Sequence, residues 1–148
     1  MAFRFRLQAI LKLRESLEHQ EKQRLLAAAA LVARLREKIQ NLENSRMAEK
    51  RQALEQMAVE TSGASLQFEA LRDAMCVRER ERLLAQLELA ENERKKCLQN
   101  YQTARQKREI LESLRDHQRD AYRLESTRRE QQETDETFLL RLPQDSEE

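Results

Sequence analysis

From residue 10 to residue 42 the apolar positions recur at steps of three and four: Ile10, Leu13, Leu17, then Leu25, Ala28, Val32, Leu35, Ile39 and Leu42. Such spacing draws one stripe down a helix face, as a coiled-coil seam requires. A second stretch carries a similar stripe through Leu84, Leu87, Leu98, Tyr101, Ala104, Leu111 and Leu114. Between them, Thr61-Ser62-Gly63-Ala64-Ser65 loses the period and gathers residues that favour caps and turns. The pattern predicts a helix over residues 4–59, a turn over 60–65 and a second helix over 66–141. Ser62 or Ser65 is expected to cap the second helix, and Gly63 to take the left-handed backbone that ends the first. Pro143 and the acidic QDSEE end predict a disordered tail over 143–148, leaving 1–142 as a single hairpin domain.

Neither stripe is stable facing water, so each is expected to cover the other. If the chain folds back at Gly63, facing residues have numbers that add up to about 126. Leu42 with Leu84, Ile39 with Leu87, Ala28 with Leu98 and Leu25 with Tyr101 all meet that condition. Near the turn Leu54 is expected to face Leu71 and Met57 to face Phe68, and at the open end Leu13 and Leu17 lie near Leu114 and Leu111. The predicted fold class is all-α: a long antiparallel two-helix coiled coil. Its seam has charged interruptions, with Val32 opposite Arg94, Leu35 opposite Glu91 and Arg46 opposite Arg80. Long side chains lay their stems on a seam and keep their charges wet, so the pair is expected to be marginal and flexible.

The arms are unequal. At 1.5 Å per residue they measure about 80 and 110 Å, so helix two overhangs from near Ala121 by about 30 Å. The overhang ends in Phe138-Leu139-Leu140-Arg141-Leu142, and the opposite terminus adds Phe3, Phe5 and Leu7. Apolar groups gathered at such an end mark a partner surface.

Composition narrows the chemistry. The 148 residues include one Gly and one Pro, enough for about one reversal, which excludes β-rich and α/β architectures. A phosphate-cradling Gly-rich loop needs more glycine than Gly63 alone. Basic residues number 28 and acidic ones 27, and Glu is interleaved with every Arg/Lys run, so no nucleic-acid partner is expected. The longest apolar run, Leu25 to Ala33, falls short of the roughly 20 residues of a membrane span. The Arg-rich opening faintly resembles a mitochondrial presequence, but its period continues into the helix.

No catalytic site, metal site or cofactor is expected. Cys76 and Cys97 would stand ~30 Å apart on one helix, too far to bridge, and neither has a metal-ligand neighbour. His19 and His117 are isolated among polar residues, and Asp135-Glu136 and Glu91-x-Glu93 have no cleft to perturb them. No small-molecule substrate is expected either.

Particular residues add a resemblance. The opening Phe3-Arg4-Phe5-Arg6-Leu7-Gln8-Ala9-Ile10-Leu11-Lys12-Leu13-Arg14-Glu15 resembles the start of the flagellar export protein FliJ family. Phe68 with Leu71, Ala74 and Met75 is similar to that family's aromatic-led segment after the turn. Lys107-Arg108-Glu109-x-Leu111-Glu112-x-Leu114 and Arg128-x-x-Gln131-x-x-x-Asp135-Glu136 are similar to its C-terminal pattern. The resemblance implies a non-catalytic accessory of the flagellar type III export apparatus. It would be monomeric, cytoplasmic and peripheral to the inner membrane at the flagellar base, and would serve motility. Its open end would enter the hexameric export ATPase, with Phe3, Phe5, Leu7, Phe138, Leu139 and Leu140 in contact. Leu42, Phe68, Leu71 and Ala74 would meet the membrane export-gate protein, and export chaperones would be further partners. Ser45 and Glu49 stand where some members carry tyrosine. Two other readings are the equivalent stalk of a virulence-type secretion system and a self-assembling coiled-coil scaffold.

Overall fold

The structure is a computed structural model that describes residues 3–58 and 62–141. Two helices make it up, α1 over Gln8–Met57 and α2 over Gly63–Arg141. They form the predicted all-α helical hairpin, with α2 running beyond the start of α1. The predicted tail over 143–148, Leu142 and residues 59–61 before and within the predicted turn lie outside the described residues.

The ends of the helices differ from the sequence pattern for local reasons. α1 starts at Gln8 because residues 3–7 are spent on an irregular lead-in, in which the Gln8 N–H donates to the Phe5 carbonyl at 3.2 Å. α2 starts earlier than predicted because Ser62 caps it. The Ser65 N–H donates to Ser62 Oγ at 3.3 Å, and Ser65 Oγ–H donates to the Ser62 carbonyl at 2.7 Å. This satisfies one of the amides that every helix start leaves open. Gly63 is the first helical residue and has no positive φ, so the expected left-handed conformation is corrected. The Ser62 cap allows helical geometry to begin one residue later, at the glycine itself.

The chain divides into two compact units. In the unit formed by residues 19–103, Val32, Leu35, Ile39, Leu83 and Ala90 make the buried core, with Leu42 and Leu87 packed against it. On α1 the predicted stripe is the seam. On α2 Leu87 and Tyr101 turn inward as predicted, but two positions are displaced by one residue: Leu83 is 6% exposed where Leu84 is 38%, and Cys97 is 9% exposed where Leu98 is 42%. A step of one residue turns the helix about 100°, enough to replace one leucine of an adjacent pair by the other. The inward face brings in the small Ala90 and Cys97. Leu54, Leu71 and Phe68, expected to close the seam near the turn, are instead 68, 59 and 59% exposed.

Charges also settle differently from the simple facing rule. Glu91 is drawn off Leu35 to the Arg36 guanidinium at 2.6 Å. Arg80 pairs with Glu43 at 2.8 Å rather than opposing Arg46. Coulomb attraction across the seam favours those partners, and a one-turn offset of a long side chain achieves it.

The other unit joins the N-terminal residues to α2 from Ala104 onward. Leu11 is its fully buried side chain, and Phe5 is buried as well. The predicted Ile10, Leu13 and Leu17 stripe is corrected: they are 44, 58 and 37% exposed, while Leu7, Leu11, Arg14 and Glu18 are the inward positions of this unit. Leu111 is half-buried as expected, but Arg115 takes the place predicted for Leu114. Glu18 tolerates that position because Arg108 donates to it from α2, and the same guanidinium also bonds Glu112. The Arg108 guanidinium is held above its usual pKa, chiefly by the bond to Glu18.

Candidate functional site

Two surfaces hold the residues that the sequence singles out. The first belongs to the unit containing both chain ends. Its lead-in lies along α2: the Phe3 and Tyr122 rings have centroids 5.8 Å apart, tilted by 46°. Phe3, Arg4, Phe5 and Gln8 line a shallow groove with Arg115 and Arg119. Phe5 is 9% exposed, and Phe3 and Leu7 are half-buried. These three side chains therefore spend much of their apolar surface on their own chain.

Beyond Tyr122, α2 continues to Arg141 with every residue exposed except Ser126. This stretch holds itself together locally. Arg129 pairs with Glu125, and Ser126 Oγ–H donates to Glu130 at 3.3 Å. Thr127, Thr134 and Thr137 each return a hydroxyl hydrogen bond to the carbonyl four residues back, at 3.0, 2.7 and 2.6 Å. Phe138, Leu139 and Leu140 are 65, 65 and 85% exposed. Phe138 lies sixteen residues past Tyr122, about 24 Å further along a helix of standard rise. The two apolar groups are thus distinct among the described residues: one is docked on α2, the other is exposed.

The second surface lies near the turn, in the unit of residues 19–103. Phe68, Leu71 and Met75 recur at helical spacing on α2 and are 59, 59 and 63% exposed, and Ala74 is exposed beside them. The Arg72 guanidinium sits over the Phe68 ring at 5.7 Å, a cation–π distance. Leu42 is placed otherwise. It is half-buried against the core and lines a groove with Ser45, Arg46, Glu49, Arg72, Met75 and Cys76. Neither Phe68, Leu71 nor Ala74 lines that groove.

Sequence reasoning missed the strongest electrostatic feature here. Arg46 is the buried charged residue of the described chain, at 8% exposure. Its guanidinium reaches Asp73 at 2.7 Å, Glu69 at 3.0 Å and Glu49 at 3.3 Å. Arg72 returns to Glu49 at 2.5 Å, and Lys50 to Asp73 at 3.1 Å. The bond to Arg46, then that to Lys50, holds the Asp73 carboxyl below the usual carboxylate range. Arg46 itself is pushed well above its ordinary value, first by Asp73 and next by Glu69. The signal was present in the sequence, as Arg46, Glu49 and Lys50 on one side of the turn and Glu69, Arg72 and Asp73 on the other.

No helix among the described residues is long and apolar enough to cross a membrane. No curated protein and no solved structure matches the chain. The family described as Flagellar FliJ protein matches residues 3–148. That match takes in the Phe-Arg-Phe lead-in, the turn-proximal Phe68 face and the exposed overhang alike, and on it the chain belongs to the FliJ family.

Proposed function

We propose that this member of a family of non-catalytic flagellar export components acts as a stalk-like activator of the hexameric export ATPase. The observation that carries this reading is the overhang: α2 continues unaccompanied past Tyr122 and presents Phe138, Leu139 and Leu140 to solvent. A self-supporting helix with an apolar end fits the centre of a ring, where six subunits offer apolar contacts around one axis. Phe3, Phe5 and Leu7 support the base of that helix, with Phe3 and Leu7 retaining partial exposure for the same partner. The exposed Phe68, Leu71 and Ala74 face, together with Leu42 in the groove it shares with Arg72 and Met75, is the surface we assign to the membrane export-gate protein. Joining ATPase to gate places the chain in the cytoplasm at the membrane-facing side of the apparatus, with export chaperones as further partners.

The deciding experiment measures ATP hydrolysis and hexamer formation by the cognate export ATPase with the full chain and with a chain lacking residues 134–148. Full-length protein should raise both, and the truncated chain neither. Undiminished stimulation by the truncated chain would rule out the overhang as the plug. Self-assembly of the chain with no effect on the ATPase would favour a structural scaffold instead.

A further inference from the structure

The hairpin beyond Arg46 is built unlike the rest of its unit. The core of Val32, Leu35, Ile39, Leu83 and Ala90 is closed by apolar burial. Between Arg46 and the turn, the inward positions of α1 are Glu49, Ala53 and Met57, and those of α2 are Ser65, Glu69 and Arg72, all only half-buried. Among the described residues, the large apolar ones of this arm other than Met57, namely Met47, Leu54, Leu66, Phe68, Leu71 and Met75, face outward at 51% exposure or more. Hydrophobic burial therefore contributes little to holding these two segments together. What joins them is charge: Arg46 to Glu69 and Asp73, Lys50 to Asp73, and Arg72 to Glu49.

From this contrast we infer that the turn-proximal arm, residues 47–58 with 62–75, is an ion-held clasp that opens at the Arg46 layer independently of the core, in response to ionic strength. The physical basis is screening. Asp73, Glu49, Arg72 and Lys50 are 45, 41, 38 and 53% exposed at their side chains, so salt reaches their pairs, whereas Arg46 and Glu69, at 10 and 21%, are screened less. The Debye length falls from about 10 Å at 0.1 M to 3 Å at 1 M, while apolar burial is not weakened in the same way. Once separated, each segment is the unpartnered end of its own long helix, and such ends fray first. The arm thus opens and frays while the core stays closed. The clasp carries the Phe68 and Leu71 face, so its opening changes what that face presents beside α1. This inference stands on the ion pairs alone and does not require the proposed ATPase role.

Two native thiols provide the test. Cys76 lines the groove with Arg46 and Glu49, whereas Cys97 is buried in the seam of the same unit. The full chain is labelled with a neutral maleimide at 0.05 and 1 M NaCl, and the two sites are resolved by mass spectrometry. Amide exchange of residues 50–58 and 64–75 is followed in parallel, because it does not depend on thiol ionisation. Salt should accelerate labelling of Cys76 and exchange of the arm about tenfold, with Cys97 and residues 28–42 unchanged. Arg46→Met with Lys50→Met and Arg72→Met removes the cations of the clasp and should abolish the salt response, and Asp73→Asn should open the arm already at low salt. Equal responses of both cysteines, or a salt response that survives in the triple variant while residues 28–42 stay protected, would overturn the clasp.

Discussion

The Phe3 and Tyr122 rings meet with centroids 5.8 Å apart and a 46° tilt, which places the N-terminal lead-in against α2 just before the overhang begins. Aromatic pairs contribute about 0.5–1.5 kcal/mol beyond their area. Phe3→Ala and Tyr122→Ala should therefore each destabilise the chain, with a coupling energy in that range from a double-mutant cycle in urea. Additive effects would show that the rings do not act together.

The seam on α2 makes a second, sharper prediction. Leu83 and Leu84 are neighbours of identical chemistry, yet only Leu83 is in the core. Leu83→Ala should cost about 2–5 kcal/mol, as large-to-small core substitutions do. Leu84→Ala should cost about 1 kcal/mol or less. Thermal and chemical denaturation of the two variants measures the difference, and the reverse order would refute the register.

At the turn, Gly63 occupies a helical position with open space where a side chain would begin. With no positive φ to accommodate, Gly63→Ala should stabilise the chain by about 0.4–1 kcal/mol through the unfolded state. Ser62→Ala should lose the cap and cost about 0.5–2 kcal/mol. A destabilising Gly63→Ala would restore the left-handed conformation.

Acid should loosen the ion pairs in a defined direction. Asp73 is held below the usual carboxylate range chiefly by Arg46, and Glu91 chiefly by Arg36. A carboxylate with a depressed folded pKa stabilises fully above its unfolded value, near pH 4, and loses that contribution as pH falls toward the folded value. Melting temperature should thus hold between pH 7 and 5 and drop below about pH 4. Asp73→Asn with Glu91→Gln should start lower at pH 7 and show a smaller drop.

The fold was legible because so few residue types oppose it. With one Gly, one Pro and a continuous three-four period, one reversal near Ser62 and Gly63 was nearly the whole solution. The α1 stripe from Leu25 to Leu42 was read correctly since its apolar residues have no equally apolar neighbours in phase, apart from Leu26 and Leu31 on the outer face. The α2 stripe held at Leu87, Tyr101, Ala104 and Leu111 but not at Leu84 and Leu98, because Leu83-Leu84 and Cys97-Leu98 give two phases of similar hydrophobicity. Of the candidate contacts, Phe138 to Leu140 were legible as exposed from the lack of any partner segment. Phe5 was not, since burial of the lead-in depends on where it lies along α2.

By itself, then, the amino-acid order determined that this chain makes two unequal helices and one reversal, because helix formation and turning are local properties of residue types. Only the tertiary structure decided which face of α2 turns inward and which carboxylates Arg46 takes. Those outcomes depend on how one helix is rotated against the other, and hydrophobicity alone assigns neighbouring phases nearly equal energy.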